Sequence, residues 1–374
     1  MRAGRRRSGL VGWALLAVVF ALIAAACAGT PDAGGGAPQS AMDPAGPVAR
    51  QQDALWNLVF PIAVAVFVLV QGGLVFLVWK YRAKGDDTAP PKQLHGNTRL
   101  EVLWTIIPAL ILASIAVPTV RSIFEIAAAP EDPLEVRVVG KQYWFEFQYL
   151  GADAQDVVTA TELHVPTGQE VLLHMEALSA IVPDAEGDVG PKVGPVADGV
   201  IHSFWVPRLA GKVDMVPGHV RQLKFSADEP GRYPGQCAEY CGLSHANMRF
   251  TVVAHEPGDY QAWLDRQAEP SAYPPEDASA MRGAEVWQAQ SCQACHTLEG
   301  HPASVDTRIA PDLTHVASRD TFAGGIFETN AENLRAWIRN APAAKPGAQM
   351  PPFAEADLSD EELDDLVNYL LTLE

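Results

Sequence analysis

The residues able to do chemistry crowd into one stretch, Cys237-Ala-Glu239-Tyr240-Cys241-Gly-Leu-Ser-His245-Ala-Asn-Met248. It holds two thiols, an imidazole, a thioether and a carboxylate. Thiolates and thioethers are soft donors that suit copper, and imidazole suits copper as well. Two cysteines four apart also fit a zinc loop or a disulfide. Methionine lies outside zinc's usual ligand set, however, so a thioether closing a Cys/His loop favours copper. The stretch supplies four such donors, and a fifth is expected from elsewhere. A second cluster, Cys292-Gln-Ala-Cys295-His296, has the C-x-x-C-H form of c-type haem attachment. Its thiols reach two vinyl groups and the adjacent imidazole reaches the iron. Met350, in Gly347-Ala-Gln-Met350-Pro-Pro-Phe353, is the only methionine after Cys295 and the candidate second axial ligand.

The missing donor is found in Val200-Ile201-His202-Ser203-Phe204-Trp205-Val206-Pro207, an apolar strand pattern carrying one histidine. A lone strand histidine is more often structural, but a ligand-rich loop short of a donor on the same sandwich shifts the odds to ligation. Two histidines, two cysteines and a methionine exceed what a single blue-copper ion uses. The set fits two coppers bridged by Cys237 and Cys241, with His202 on one ion and His245 on the other. Met248 then serves one ion, and the backbone carbonyl of Glu239 is the nearest weak oxygen for the other.

The rest of the chain must position these groups. At 374 residues it exceeds one ordinary domain. Five cysteines are too few and too unevenly spaced for a disulfide framework. Residues 121–374 carry 39 acidic and 17 basic side chains, against 6 and 10 in the first 120. An acidic soluble part argues against nucleic acid and for a basic partner.

Residues 1–27 have signal-peptide architecture: Arg2, Arg5, Arg6 and Arg7, an apolar run from Leu10 to Ile23, then Ala24-Ala25-Ala26-Cys27. Two readings stand, ordinary cleavage and a lipoprotein box at Cys27. In the second, Ala24 occupies a position where leucine is usual. Residues 28–53 read as a Gly/Pro/Ala-rich linker. Residues 54–121 form a transmembrane hairpin, with apolar runs from Leu55 to Trp79 and from Leu100 to Val120. Lys80, Arg82, Lys84, Lys92 and Arg99 put the loop between them in the cytoplasm, so both soluble parts face outward. Glu101, at the cytoplasmic start of the second helix, fits either a favourable first-turn charge or a proton entry point.

Residues 122–268 show short β-type runs with Gly/Pro punctuation, which indicate a sandwich or small barrel. The expected strands are Leu134–Val139, Lys141–Tyr149, Glu162–Val165, Glu170–Glu176, Val200–Val206, Val220–Ala227 and Phe250–Ala254, followed by a short helix around Tyr260–Arg266. Residues 269–280 read as a second linker and 281–374 as a helical haem domain, with a final helix from Ser359 to Leu373.

These motifs resemble subunit II of the haem-copper cytochrome c oxidases over residues 50–270. Cys237-x-Glu239-x-Cys241-x-x-x-His245-x-x-Met248, the His202 strand and the hairpin with Glu101-Val-Leu-Trp104-Thr-Ile-Ile-Pro108 all match. The C-terminal part resembles class I cytochrome c, which makes the whole similar to a caa-type subunit II with a fused cytochrome c domain. The resemblance implies a multi-domain membrane protein: a two-helix hairpin, an all-β cupredoxin sandwich and an all-α cytochrome c domain. It implies binuclear copper (CuA), covalent haem c oriented through the Pro311 carbonyl to His296, and magnesium held partly by Glu239 at the interface with subunit I. It also implies subunits I and III as partners, a cytochrome c or neighbouring respiratory complex as donor, and a bacterial cell membrane as the location. Glu101 would lie at the mouth of a proton pathway. The family's aromatic electron entry begins with tryptophan, whereas this chain has Tyr143-Trp144-Phe145, leaving Tyr143 and Trp144 as candidates. The loop from Pro183 to Val196 is longer than usual; it shapes partner docking or is a neutral insertion. Quinol-oxidising relatives lose the copper ligands, which are all present here.

Two other functions fit parts of the pattern: a membrane-tethered electron carrier, and the CuA module of another respiratory reductase such as a nitrous oxide reductase. The hairpin with Glu101 discriminates, because a tether needs one helix or a lipid and has no use for a carboxylate there.

Overall fold

Two long helices lead into a two-sheet sandwich, and a small helical domain follows. The computed structural model describes residues 38–82, 93, 96–151, 157–178 and 199–374. The leader with Cys27, residues 28–37 of the expected linker and the 183–196 loop lie outside the described residues.

Helices α1 (Pro47–Tyr81) and α2 (Thr98–Ala127) are long and apolar enough to cross a membrane. Phe67, Leu69, Val78, Leu110 and Val117 stand fully out from the pair, an apolar surface of the kind that lipid or a partner covers. Asn97 caps α2, its side chain accepting from the amides of Arg99 and Leu100 at 3.1 and 3.4 Å. Helix α1 starts earlier than expected, inside residues read as linker. Pro47, with its fixed φ and missing donor, suits the first helical turn. Val48 and Ala49 are buried against the sandwich. Chain approach is fixed by Ala45 N donating to Arg208 O (2.7 Å), Asp228 N donating to Ala45 O (3.0 Å) and the Arg50–Asp228 ion pair. Two small apolar residues in a polar context gave no periodic signal, so the docking was not legible.

The sandwich has ten strands. One sheet runs β3 (Val158–Ala160), β2 (Trp144–Leu150), β1 (Leu134–Lys141), β5 (Val171–Ala177), β8 (Arg221–Phe225). The other runs β4 (Glu162–Pro166), β10 (Arg249–His255), β9 (Gly231–Cys237), β6 (His202–Trp205), β7 (Val213–Met215). Pairs β1/β5 and β4/β10 are parallel and the other pairs are antiparallel. This is the cupredoxin-like architecture expected. Between the sheets Phe145, Phe204 and Phe250 interlock, with ring centroids 4.3–5.7 Å apart. Each such ring contributes roughly 1.5–3 kcal/mol by leaving water.

Strands β3, β7 and β9 were not among those expected. β9 reads as a turn because of Pro234 and Gly235. It pairs nonetheless, since the Phe250 ring lies so close to the Gly235 Cα that a Cβ would overlap it. Tyr143 falls in the turn between β1 and β2 rather than inside a strand. His202 begins β6, two residues later than the expected strand start.

After α3 (Pro257–Gln267), the last domain packs α4 (Ala278–Ala289), α5 (Ala331–Ala344) and α6 (Asp360–Leu370), with a small hairpin β11 (Thr321–Phe322)/β12 (Phe327–Glu328). α4 begins at Ala278, within residues expected as linker, because Asp277 accepts from the amides of Ser279 and Ala280 at 2.9 and 3.0 Å. Ser271 of the same segment is tied to the Glu299 carbonyl through both its amide and its hydroxyl. α4 and α6 touch backbone to backbone at Gly283, where a Cβ would collide with the Asp365 carbonyl. Ser359 and Glu362 form a capping box at the start of α6.

Candidate metal centre and haem pocket

β9 delivers Cys237 at its end, and the chain then loops through Cys241 and a single helical turn, His245–Asn247, to Met248 and β10. β6, paired to β9 with Phe204 opposite Cys237, places His202 beside it. The result is a compact donor set. The two Sγ atoms are 3.9 Å apart, too far for a disulfide bond of about 2.05 Å. Cys237 Sγ lies 3.8 Å from His202 Nδ1, and Cys241 Sγ lies 3.7 Å from His245 Nδ1. Met248 Sδ is 3.8 Å from Cys241 Sγ, and the Glu239 carbonyl oxygen is 3.3 Å from Cys237 Sγ. Each thiol therefore has its own imidazole and one weak donor.

Burial is nearly complete for His202, Cys237, Cys241 and Met248. His202 Nε2 is buried with no partner, so nothing on the far side of the ring competes for its orientation. Gly140, on β1, lies against this imidazole; a Cβ there would stand 3.0 Å from its Cδ2. The Cys241 hydrogen bond chiefly, then those from His202 and backbone, lowers Cys237, and the same pairing raises Cys241. A soft cation bound between the two sulfurs would displace the thiol proton that remains. The donor set fits copper.

Glu239 is half-buried and Tyr240 exposed on the outer side of the loop. Tyr143 sits on the other side: its hydroxyl accepts from the Leu243 amide at 3.1 Å, while Gln142 Nε2 donates to the Cys241 carbonyl at 2.6 Å. Trp144 is buried in β2, with the Lys141 ammonium 4.7 Å above its ring. Glu101 lies in the first turn of α2, exposed, against Gly96.

In the C-terminal domain, His296 Nδ1 donates to the Pro311 carbonyl at 2.7 Å. Burial lowers the pKa of this imidazole, so the ring is neutral with Nε2 left as a lone-pair donor. Trp287 packs 6.2 Å from it, and the Trp287 indole nitrogen is buried without a partner. Cys292 is half-buried and Cys295 exposed. Met350 lies between α5 and α6, against the domain core. A neutral oriented imidazole, an adjacent thiol pair, a thioether packed on the same domain core and an orphaned indole N–H fit a haem. His301 and His315 are occupied with backbone groups.

Three family descriptions match along the chain: cytochrome c oxidase subunit II, transmembrane domain, over residues 37–122; cytochrome c oxidase subunit II, periplasmic domain, over 134–255; and cytochrome c over 280–374. The cytochrome c oxidase subunit 2 of Alkalihalophilus pseudofirmus is 35% identical over 345 residues, covering 89% of this chain and 90% of that one. The chain belongs to the cytochrome c oxidase subunit 2 family. The subunit 2 of Bacillus sp. strain PS3 is 32% identical and covers 98% of both chains. A quinol oxidase subunit 2 of Bacillus spizizenii is 32% identical over 68% of this chain and 70% of its own.

This protein is thus subunit II of a haem-copper oxidase with a fused cytochrome c domain. Copper and haem are its cofactors, subunit I is its partner, and its soluble part faces outward from the membrane. Sequence reading did not find Gln142, whose side chain donates to the Cys241 carbonyl, Ser244, whose hydroxyl ties the loop to Pro346 O, or Lys345, which donates to Tyr143 O. No motif marks them, because each acts through contacts about a hundred or more residues away in sequence.

Proposed function

We propose that electrons pass along this chain from a haem held covalently by Cys292 and Cys295 to a copper pair, and from there to the oxygen-reducing centre of subunit I. The pairing of each buried thiol with its own imidazole carries this reading. Cys237, Cys241, His202, His245, Met248 and the Glu239 carbonyl would hold the copper. His296 and Met350 would hold the haem iron. Both groups, when bound, gain and lose single electrons.

The polypeptide's contribution is to fix these donors before loading. Gly140 holds the His202 ring, the Pro311 carbonyl fixes the His296 tautomer, and Tyr143 ties the β1–β2 turn to the ligand loop. Tyr143 is the electron route into the loop, with Trp144 behind it. The half-buried Glu239 carboxylate reaches magnesium at the subunit I face, and Glu101 serves a proton pathway. Subunit III completes the complex in the bacterial cell membrane. The acidic outer domains select a basic cytochrome c or a neighbouring respiratory complex as donor.

Replacing Cys237 or Cys241 by serine tests the reading. The near-infrared copper band and oxygen turnover should both disappear while the haem remains reducible. Turnover that survives loss of the copper band would sink it.

A further inference from the structure

Helix α5 is broken by its own sequence. Pro342 has no amide to donate, and Asn340 leaves helical geometry at φ −159, ψ 78. The Asn340 side chain then accepts from the Ala343 amide at 3.1 Å and starts one further turn. That turn ends at Lys345, whose amide donates to Ala341 O at 2.8 Å. The break aims Lys345 at the seam between the two soluble domains, where it is 3% exposed.

Its ammonium donates to one carbonyl from each side. Tyr143 O, in the copper domain, and Ala323 O, in the haem domain, both lie at 2.6 Å. It has no carboxylate partner among the described residues, and burial lowers its pKa to about 7, so the two carbonyls take the place of the water it gave up. Gly324 adopts φ +76 beside it, and a Cβ there would meet the Lys345 Nζ at 2.5 Å and Tyr143 O at 2.7 Å. The Gly324 carbonyl accepts the Arg249 amide across the seam at 2.8 Å. Ser244 Oγ donates to Pro346 O at 2.5 Å, and Gly347 lies against the Tyr143 ring. All these contacts converge on Tyr143 and the ligand loop.

We propose that Lys345 is a positioning residue, a clasp whose buried ammonium joins the haem domain to the Tyr143 backbone and sets how that domain meets the copper loop. Its effect on electron flow rests on the haem-to-copper reading above; the clasp itself does not.

The full chain, loaded with both cofactors, is compared with its Lys345→Met and Gly324→Val variants by hydrogen–deuterium exchange at the Arg249 amide. Two hydrogen bonds from Lys345 Nζ, at about 1 kcal/mol each, together are worth roughly thirtyfold in an equilibrium. Exchange at Arg249 should therefore accelerate by about tenfold or more in each variant. Amides within β1–β2 and α6 should stay protected, and the haem and copper absorption bands should not move. Flash-initiated haem-to-copper transfer should slow in both variants. Arg249 protection retained in Lys345→Met overturns the clasp, whatever Gly324→Val does. If Arg249 deprotects but the unmodified chain shows no haem-to-copper transfer, the proposed route fails and the clasp stands.

Discussion

The Tyr143 hydroxyl accepts the Leu243 amide at 3.1 Å, between two residues a hundred positions apart. One side chain thereby joins the β1–β2 turn to the segment that carries Cys241 and His245. Tyr143→Phe leaves that amide without its acceptor, at a cost of about 1 kcal/mol. Transfer from haem to copper should slow in Tyr143→Phe and slow further in Tyr143→Ala. Trp144→Phe should have the smaller effect. Time-resolved absorption at the haem and copper bands measures this; equal rates in all variants would remove Tyr143 from the route.

Gly140 is required because the His202 ring occupies the space its Cβ would need. Gly140→Ala should tilt that imidazole while leaving every ligand residue in place. Groups that orient a metal-bound histidine are typically worth 10–100-fold in affinity, so about tenfold weaker copper retention is expected. Titration with a competing chelator, read at the copper band, gives the value. Unchanged retention would mean that the ring relaxes elsewhere.

A stacked pair on the second sheet should make stability pH-dependent. His164 Nδ1 and His255 Nε2 are 2.8 Å apart, with the Trp263 ring stacked on His164. Burial lowers His164 and pulls His255 down to about 4; Glu162 and Asp259 oppose this, while Arg232, Arg266 and Arg319 add to it. The unfolded chain therefore binds more protons than the folded one between an unfolded value of about 6.5 and the folded value. The stability these groups contribute is fully present above pH 6.5 and is lost as pH falls from there through 4. Melting temperatures from pH 7.5 to 4.5 should drop less steeply in His255→Gln than in the native chain. Parallel curves would count against the pair.

The haem domain depends on the contact of α4 and α6 at Gly283. Alanine there gains about 1 kcal/mol of helix propensity but forces apart two backbones already in contact. Overpacking of this kind costs typically 1–3 kcal/mol, so thermal unfolding followed at the haem band should shift downward. A melting temperature at or above that of the native chain would show that the helices can separate without loss.

Legibility from sequence followed the range of the interaction. The Cys237–Met248 loop and the Cys292–His296 motif were readable because their donors are neighbours in the chain. His202 was readable because an apolar strand with one imidazole is conspicuous once a donor is missing. Strand β9 was hidden because Pro234 and Gly235 carry turn signals, and only the Phe250 ring explains the glycine. The helical start at Pro47, with Val48 buried, and the seam at Lys345 depend on surfaces brought together by the fold. Neither has a local pattern, since a buried alanine and a buried lysine look like any others.

Helix α1 has one further implication. It runs from Pro47, beside Val48 wedged into the sandwich, to Tyr81, and its 35 residues span about 52 Å at 1.5 Å each. The bilayer's apolar core takes about 30 Å of that. The remainder works as a rigid stalk that sets both the height and the bearing of the copper domain above the lipid. Each residue inserted into it would turn that domain by about 100°, so the stalk's length is also a compass setting for electron delivery.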